Sequence, residues 1–297
     1  MSMVVVVQNK NLGKMNEINL FLTKNGQWVT NKSMLETLLS IGADKCDVLY
    51  IHTALSFGQP NHQLKKSVML GELLNVIKAL GVKTVCMPTF TFSFCNGLDY
   101  NPATSASRMG VLNEFFRKQE GVIRSVDPLM SVALMGEDKD LVTGVGHVSC
   151  GENSTFDKLR HRDNVKFLFL GPKIGDCLTY MHYLEWLFSV DYRYNRVFLG
   201  NVTVGDKSSV EEYALFVRYK SVIPNTKSYV YEQRMYDNGT AFIAPCGDGT
   251  ISIVDEISAT NEYKKCLDEN PYYFVDFENG VFVKDKTFKI DHEMVAM

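Results

Sequence analysis

The sequence lacks most of the features that assign a chain quickly. None of its 297 residues belong to an apolar run long enough to span a bilayer, and the short "MVVVV" stretch near the start is too brief for the apolar part of a signal peptide. No block of Lys and Arg interrupts a formal charge of −3, so the charge balance points to neither nucleic acid nor a membrane surface. Seven cysteines are scattered without C-x-x-C spacing, which is neither a disulfide framework nor a zinc ligand set. They suit a reducing, cytoplasmic setting with no metal. There is no G-x-x-x-x-G-K-[ST] loop, no G-x-S-x-G and no H-E-x-x-H, and "GVGHVSCG" has the wrong spacing for a dinucleotide fingerprint. The direct arguments for an NTPase, a dehydrogenase, an α/β-hydrolase or a zinc protease are absent. No internal repeat or low-complexity segment is present either. The partner expected is a small molecule, and self-association into a homo-oligomer is left open.

What is there reads as a layered α/β protein. The stretch "NGQWVTNKSMLETLLSIGADKCDVLYIHTALSFG" reads as a turn, a helix with Ser33 or Thr30 near its cap and apolar Met34, Leu35, Leu38 and Leu39, then the strand "DVLYIHT". A second helix, "SVMLGELLNVIKALG", stops at Gly81 and leads to "KTVCMPTF". Next come an amphipathic helix near "VLNEFFRKQEG", strand-like "VIRSVDPLMSVALMG" and a buried strand "VKFLFLG". Helices alternating with apolar strands predict a sheet covered on both faces. After about residue 195 the texture changes to short β-like runs separated by Gly, Asn and Asp. The chain is therefore divided into an α/β core over residues 1–195 and a β-rich extension over 196–297 that completes the sheet and the acceptor site or forms a smaller β-rich lobe, with a hairpin at Asn279 and Gly280.

The segment "LTYMHYLEWLF", residues 178–188, is almost wholly apolar or aromatic yet carries His182 and Glu185. Three helical residues turn about 300°, so the two side chains lie about 60° apart and within reach. Three readings apply. The pair is a satisfied structural contact inside a core helix; or it is part of a metal site, for which no further ligand cluster is visible; or Glu185 orients the imidazole as a general base. Cys177 lies five residues before His182, a poor helical spacing for a Cys/His nucleophile.

Taken in order, "YIHTALSFG", "VCMPTFTF", "YNPATSASRMGVLNEFFR", "VIRSVDPLMSVALMG", "GENSTFDKL" and "FLFLG" followed by "YMHYLEW" resemble the antibiotic N-acetyltransferase family, best known for the aminoglycoside 3-N-acetyltransferases. The likeness covers about residues 30–190. It implies an α/β/α fold and acetyl-CoA-dependent transfer to a sugar amine. It also implies roles: His182 as base and Glu185 as its orienting carboxylate, with Leu55, Ser56, Thr104, Ser107 and Arg108 holding CoA. One departure stands out. Where the family commonly reads R-S-x-H-P-x-x-S, this chain reads "RSVDPLMS", with Asp127 at the histidine position.

The chemistry agrees with that likeness. An amine is mostly protonated near neutral pH and must lose its proton to attack a thioester, which calls for a base in the histidine range. For the acceptor, Asp99, Asp127, Glu152 and Asp176 are candidate acidic contacts. The only slightly negative charge, the departure at Asp127, and Tyr229, Tyr231, Tyr236, Tyr272 and Tyr273, which offer aromatic faces for a nucleobase, favour a nucleotide-linked amino-deoxyhexose of polysaccharide biosynthesis over an aminoglycoside. A non-catalytic CoA or nucleotide binder, and a thiol enzyme using Cys150 or Cys177, are the alternatives from other classes.

Overall fold

The computed structural model describes Gly13 and residues 15–286. In chain order it contains β1 (Asn19–Leu22), β2 (Trp28–Thr30), α1 (Asn31–Ser40), β3 (Val48–Thr53), β4 (Gln59–Pro60), α2 (Lys66–Ala79) and β5 (Thr84–Pro88). Then follow α3 (Val111–Phe116), β6 (Ile123–Arg124), β7 (Val132–Gly136), α4 (Thr155–Arg160), β8 (Val165–Leu170), α5 (Ile174–Cys177) and α6 (Tyr180–Leu187). The rest is β9 (Arg193–Val204), β10 (Lys207–Arg218), β11 (Val222–Pro224), α7 (Lys227–Asp237), β12 (Ala241–Cys246), β13 (Gly249–Asp255), α8 (Glu256–Glu269) and β14 (Val275–Phe277).

Seven strands form the central sheet in the order β12-β13-β8-β3-β5-β7-β6. The middle three, β8, β3 and β5, run parallel, and their outer neighbours β13 and β7 run antiparallel to them. Alternation along β3 sends Leu49 and Ile51 to a core shared with α1 and α2, and Val48 and Tyr50 to a second core shared with α4, α6, α7 and α8. Both faces of the sheet are thus covered, and the apolar runs of β3 and β8 follow from that double burial. Thr30 caps α1 in a capping box with Ser33. Gly81, at φ +73°, follows the end of α2.

The region beyond residue 195 departs from the short strands read in the sequence. Strands β9 and β10 are 12 residues each and pair along their whole length as one long hairpin. Strands β12 and β13 extend the central sheet next to β8. Two helices, α7 and α8, pack against the same face. Their inward residues include Glu232, Glu256 and Glu262, so polarity on the buried side masked the helical period. The hairpin read at Asn279 and Gly280 does not form: residues 278–280 make a single 3₁₀ turn, and β14 pairs back onto β11.

Candidate active site

Three adjacent parallel strands end at one edge of the sheet, the place where open α/β sheets take ligands. β3 ends in the loop carrying Leu55 and Ser56, β5 leads to the loop of residues 101–110, and β8 leads through Gly171 into α5 and α6. The first and last of these loops touch. Ala54 N–H donates to the Leu170 carbonyl at 2.9 Å, and a Cβ on Gly171 (φ +101°) would lie 1.7 Å from the Ala54 carbonyl oxygen. Only glycine fits there. His52, near the end of β3, meets the Thr179 hydroxyl at 2.8 Å at the start of α6, which ties that helix to the centre of the sheet.

On α6, His182 Nδ1 lies 2.9 Å from Glu185 Oε2. Glu185 is 4% exposed, whereas the His182 side chain keeps 37% of its surface in solvent. Two residues absent from the sequence reading complete the cluster. The Tyr192 hydroxyl donates to Glu185 Oε1 at 3.1 Å, and Arg193 Nε forms an ion pair with Glu185 Oε2 at 2.7 Å, out of line for a hydrogen bond. Arg193 also donates to the Phe216 carbonyl at 2.9 Å, and its other terminal nitrogen lies 3.2 Å from His182 Nδ1. The one available signal was "DYRYNR", an arginine placed among aromatics just after the helix.

The electrostatics assign the protons. Burial works to raise the Glu185 carboxyl, but the Arg193 guanidinium and the His182 contacts override it and hold it down at about 2. Glu185 is therefore ionised at neutral pH. An ionised carboxylate accepts the Nδ1–H of His182, leaving Nε2 at the far side of the ring as the acceptor. Desolvation lowers the imidazole from its ordinary value first, and the positive charge of Arg193 adds to this; Glu185 opposes both and does not reverse them. The result is a neutral, oriented imidazole on a side chain that solvent reaches. Among the described residues no hydrogen bond engages that nitrogen.

The other sequence-selected residues are placed as follows. Leu55 is half-buried and Ser56 exposed at the β3 end. Thr104 and Arg108 are exposed and Ser107 is half-buried in the loop of residues 101–110. Neither Thr104 nor Ser107 caps α3, whose N-cap is Gly110 at φ +100°. The loop binds to itself instead. The N–H groups of Thr104 and Arg108 donate to the Asn101 and Phe90 carbonyls, that of Ser107 donates to Glu114, and that of Met109 donates to the Ser107 hydroxyl. Arg124 clamps it from β6, donating to the carbonyls of Pro102 at 3.1 Å, Ser105 at 2.6 Å and Thr89 at 2.5 Å. These backbone donors are occupied, so phosphate groups reaching this loop would meet side chains of Thr104, Ser107 and Arg108. The fit is to hydroxyls and a cation.

The four acidic residues have separate surroundings. Asp127 is buried and accepts from the Leu129 and Met130 N–H groups and the Ser149 hydroxyl, so it holds the turn between β6 and β7. Asp99 accepts from Asn201 on the long hairpin. Asp176 is exposed on α5 and accepts from the Tyr229 hydroxyl at 2.6 Å. Glu152 is exposed and follows Gly151, where a Cβ would come within 3.0 Å of Trp186 on α6. A separate open cleft of about 310 Å³ is lined by His147, Lys207, Glu211 and Tyr213 and does not include His182.

The thiols offer no nucleophile. Cys150 is fully buried, its Sγ 3.0 Å from the Met130 sulfur, and burial pushes its thiol far up. Cys177 is held protonated in the same way. Among the described residues, no group of three or more His, Cys, Asp or Glu could hold a metal ion, and no helix is long and apolar enough to cross a membrane.

Comparison with known proteins gives the family. Set against curated protein sequences, the chain finds no match. Among solved structures it is similar to aminoglycoside acetyltransferase AAC(3)-Xa, with 20% identity, a TM-score of 0.67, and coverage of 81% of this chain and 93% of that one. AAC-IIIb in a binary complex with CoASH gives 18% identity and a TM-score of 0.67 over 85% of this chain and 98% of that one. AAC-VIa bound to sisomicin gives 15% identity and a TM-score of 0.68 over 80% and 97%. At these identities the structures establish a shared fold. The sequence profile described as aminoglycoside 3-N-acetyltransferase matches residues 60–255, which span the parallel strand β5, the strand β8 and the His182 helix, and on that match the chain belongs to the aminoglycoside 3-N-acetyltransferase family.

Proposed function

We propose that the protein transfers the acetyl group of acetyl-CoA to an amine of a polycationic amino sugar of the aminoglycoside class, with His182 as general base. The observation that carries the proposal is the His182 to Glu185 contact of 2.9 Å on a partly exposed ring. As the amine attacks, its proton passes to His182 Nε2, the nitrogen to carbonyl-carbon bond forms, the carbon to sulfur bond breaks, and the CoA thiolate leaves to be reprotonated. Glu185 supports the imidazolium that forms in between. Leu55 and Ser56 at the end of β3, with Thr104, Ser107 and Arg108 beyond β5, are the candidate contacts for CoA. A family relative has been seen with CoASH, which supports the donor.

The acceptor ranking read from the sequence reverses. Its case for a nucleotide rested on the small net charge, the departure at Asp127 and tyrosine faces, and most of these tyrosines are engaged in packing. Tyr231 and Tyr273 are buried, Tyr236 donates to Glu232, and Tyr272 donates to Asp191. Tyr229 is exposed but bonds Asp176, with Lys173 over its ring. The relative bound to sisomicin supports an aminoglycoside, and Glu152 and Asp176 are the exposed carboxylates proposed to meet its ammonium groups. The test is release of CoA thiol from acetyl-CoA with sisomicin, gentamicin and a nucleotide-linked amino sugar supplied in parallel. Turnover with the aminoglycosides is the expected result. Turnover with the nucleotide sugar alone would overturn the acceptor, and no turnover with any amine would overturn acetyl transfer.

A further inference from the structure

The catalytic pair is supported from outside its own helix. We infer that Arg193, together with Tyr192, is a positioning residue that reaches Glu185 from the base of the β9–β10 hairpin and fixes the carboxylate that orients His182. The inference rests on the reading of His182 as the base. It makes the site a four-residue unit completed only when the hairpin docks on α6.

Geometry carries the argument. Glu185 Oε2 is shared by His182 Nδ1 at 2.9 Å and Arg193 Nε at 2.7 Å, while Oε1 accepts from Tyr192 at 3.1 Å. Both oxygens are engaged, so the carboxylate cannot rotate away from the ring without losing partners. Arg193 is itself anchored, through its donation to the Phe216 carbonyl on β10. Its side chain is 7% exposed, a depth at which an arginine needs a carboxylate.

Register adds a second observation. Arg193 and Arg218 stand directly opposite each other at the open end of the hairpin, an arrangement that is unfavourable in itself. The buried Glu185 beside Arg193 compensates for it. The charged groups in contact with His182 are Glu185 on its own helix and Arg193 from the hairpin, and the charge of Arg218 acts on it more weakly. Glu185 favours the imidazolium, and the arginines favour the neutral ring. Arg193 has a dual part in this scheme: it pins the carboxylate and offsets its field, so the base stays unprotonated while remaining oriented. Its terminal nitrogen 3.2 Å from Nδ1 is a donor facing a protonated nitrogen, so it acts on the ring by charge.

The test compares Arg193→Met, Arg193→Lys and Tyr192→Phe in the full chain. One readout is the His182 imidazole titration by NMR, with its signal identified by its loss in His182→Ala. The other is kcat and KM for acetyl-CoA. In Arg193→Met the His182 midpoint should rise by about one pH unit, and kcat should fall about tenfold or more with KM changed by less than about threefold. Arg193→Lys keeps the charge and loses the planar guanidinium, so its midpoint should stay near the parent value while kcat remains reduced. Tyr192→Phe should lower kcat about fivefold. An unmoved midpoint in a folded Arg193→Met, with kcat within about twofold of the parent, would overturn the inference. If Arg193→Met does not fold, the other two variants decide, and parent-like kcat in both would overturn it. Should no amine be acetylated at all, the proposed reaction fails separately, and the titration still decides the part played by Arg193.

Discussion

Helix α6 serves two buried carboxylates, and they make an instructive pair. Glu185 is 4% exposed and Glu256, on α8, is 2% exposed. Each has an arginine and a tyrosine beside it: Arg193 and Tyr192 for Glu185, Arg160 and Tyr180 for Glu256. They differ in the remaining partner. For Glu256 it is the Thr260 hydroxyl at 2.6 Å, a group that does not exchange a proton near neutral pH, and solvent reaches this cluster only through Arg160. For Glu185 it is His182, a group that titrates and reaches solvent. A buried carboxylate with an arginine is common structural chemistry. What marks a reacting site is a proton acceptor that the carboxylate holds at one nitrogen and leaves free at the other.

That contrast is open to experiment, and the largest effect is expected at the imidazole. His182→Ala should cut kcat/KM at least a hundredfold, about the lower range for loss of a general base, with CoA binding retained by calorimetry. A loss below about threefold would place the base elsewhere. The next effect separates the two carboxylates. Glu185→Gln should lower kcat about tenfold or more, because the amide cannot support an imidazolium. Glu256→Ala should instead destabilise the fold by about 3 kcal/mol, with the folded fraction turning over at close to the parent rate. If the two variants exchanged these behaviours in thermal melts and assays, the distinction drawn here would collapse.

Smaller effects sharpen the same picture. His182 lies below its ordinary value, so the neutral ring persists on acidification past the point where a free imidazole is half protonated, about pH 6.5. The acid limb of kcat/KM should therefore fall below that pH; a limb above it would mean that Glu185 outweighs burial and Arg193 together. Arg108→Ala should raise KM for acetyl-CoA about tenfold with little change in kcat, as loss of one charged contact to phosphate predicts. Cys150→Ser should change kcat by less than about threefold. Loss of activity there would revive the thiol alternative against the burial that keeps that sulfur protonated.

The same pair shows what a sequence discloses. His182 and Glu185 were legible because the helical period alone brings residues three apart into contact. The double-sided burial of β3 and β8 was legible in their unbroken apolar runs. Arg193 and Tyr192 were not, because they come from another element and their contact with Glu185 depends on how the hairpin docks. Asp127 stood at a position suggestive of the acceptor, yet its Oδ1 serves two backbone N–H groups and a serine, a local use that a side-chain type does not announce. Helices α7 and α8 escaped because their buried faces carry glutamates matched by partners distant in the chain, such as Arg234 for Glu262.

The most direct test of the base is a structure of the protein with CoA and sisomicin bound together. An amine nitrogen within about 3 Å of His182 Nε2, on the side of the ring away from Glu185, is the predicted result. An acceptor whose amines all lie away from the ring, with Nε2 covered by hydrocarbon or bonded to the protein, would contradict it.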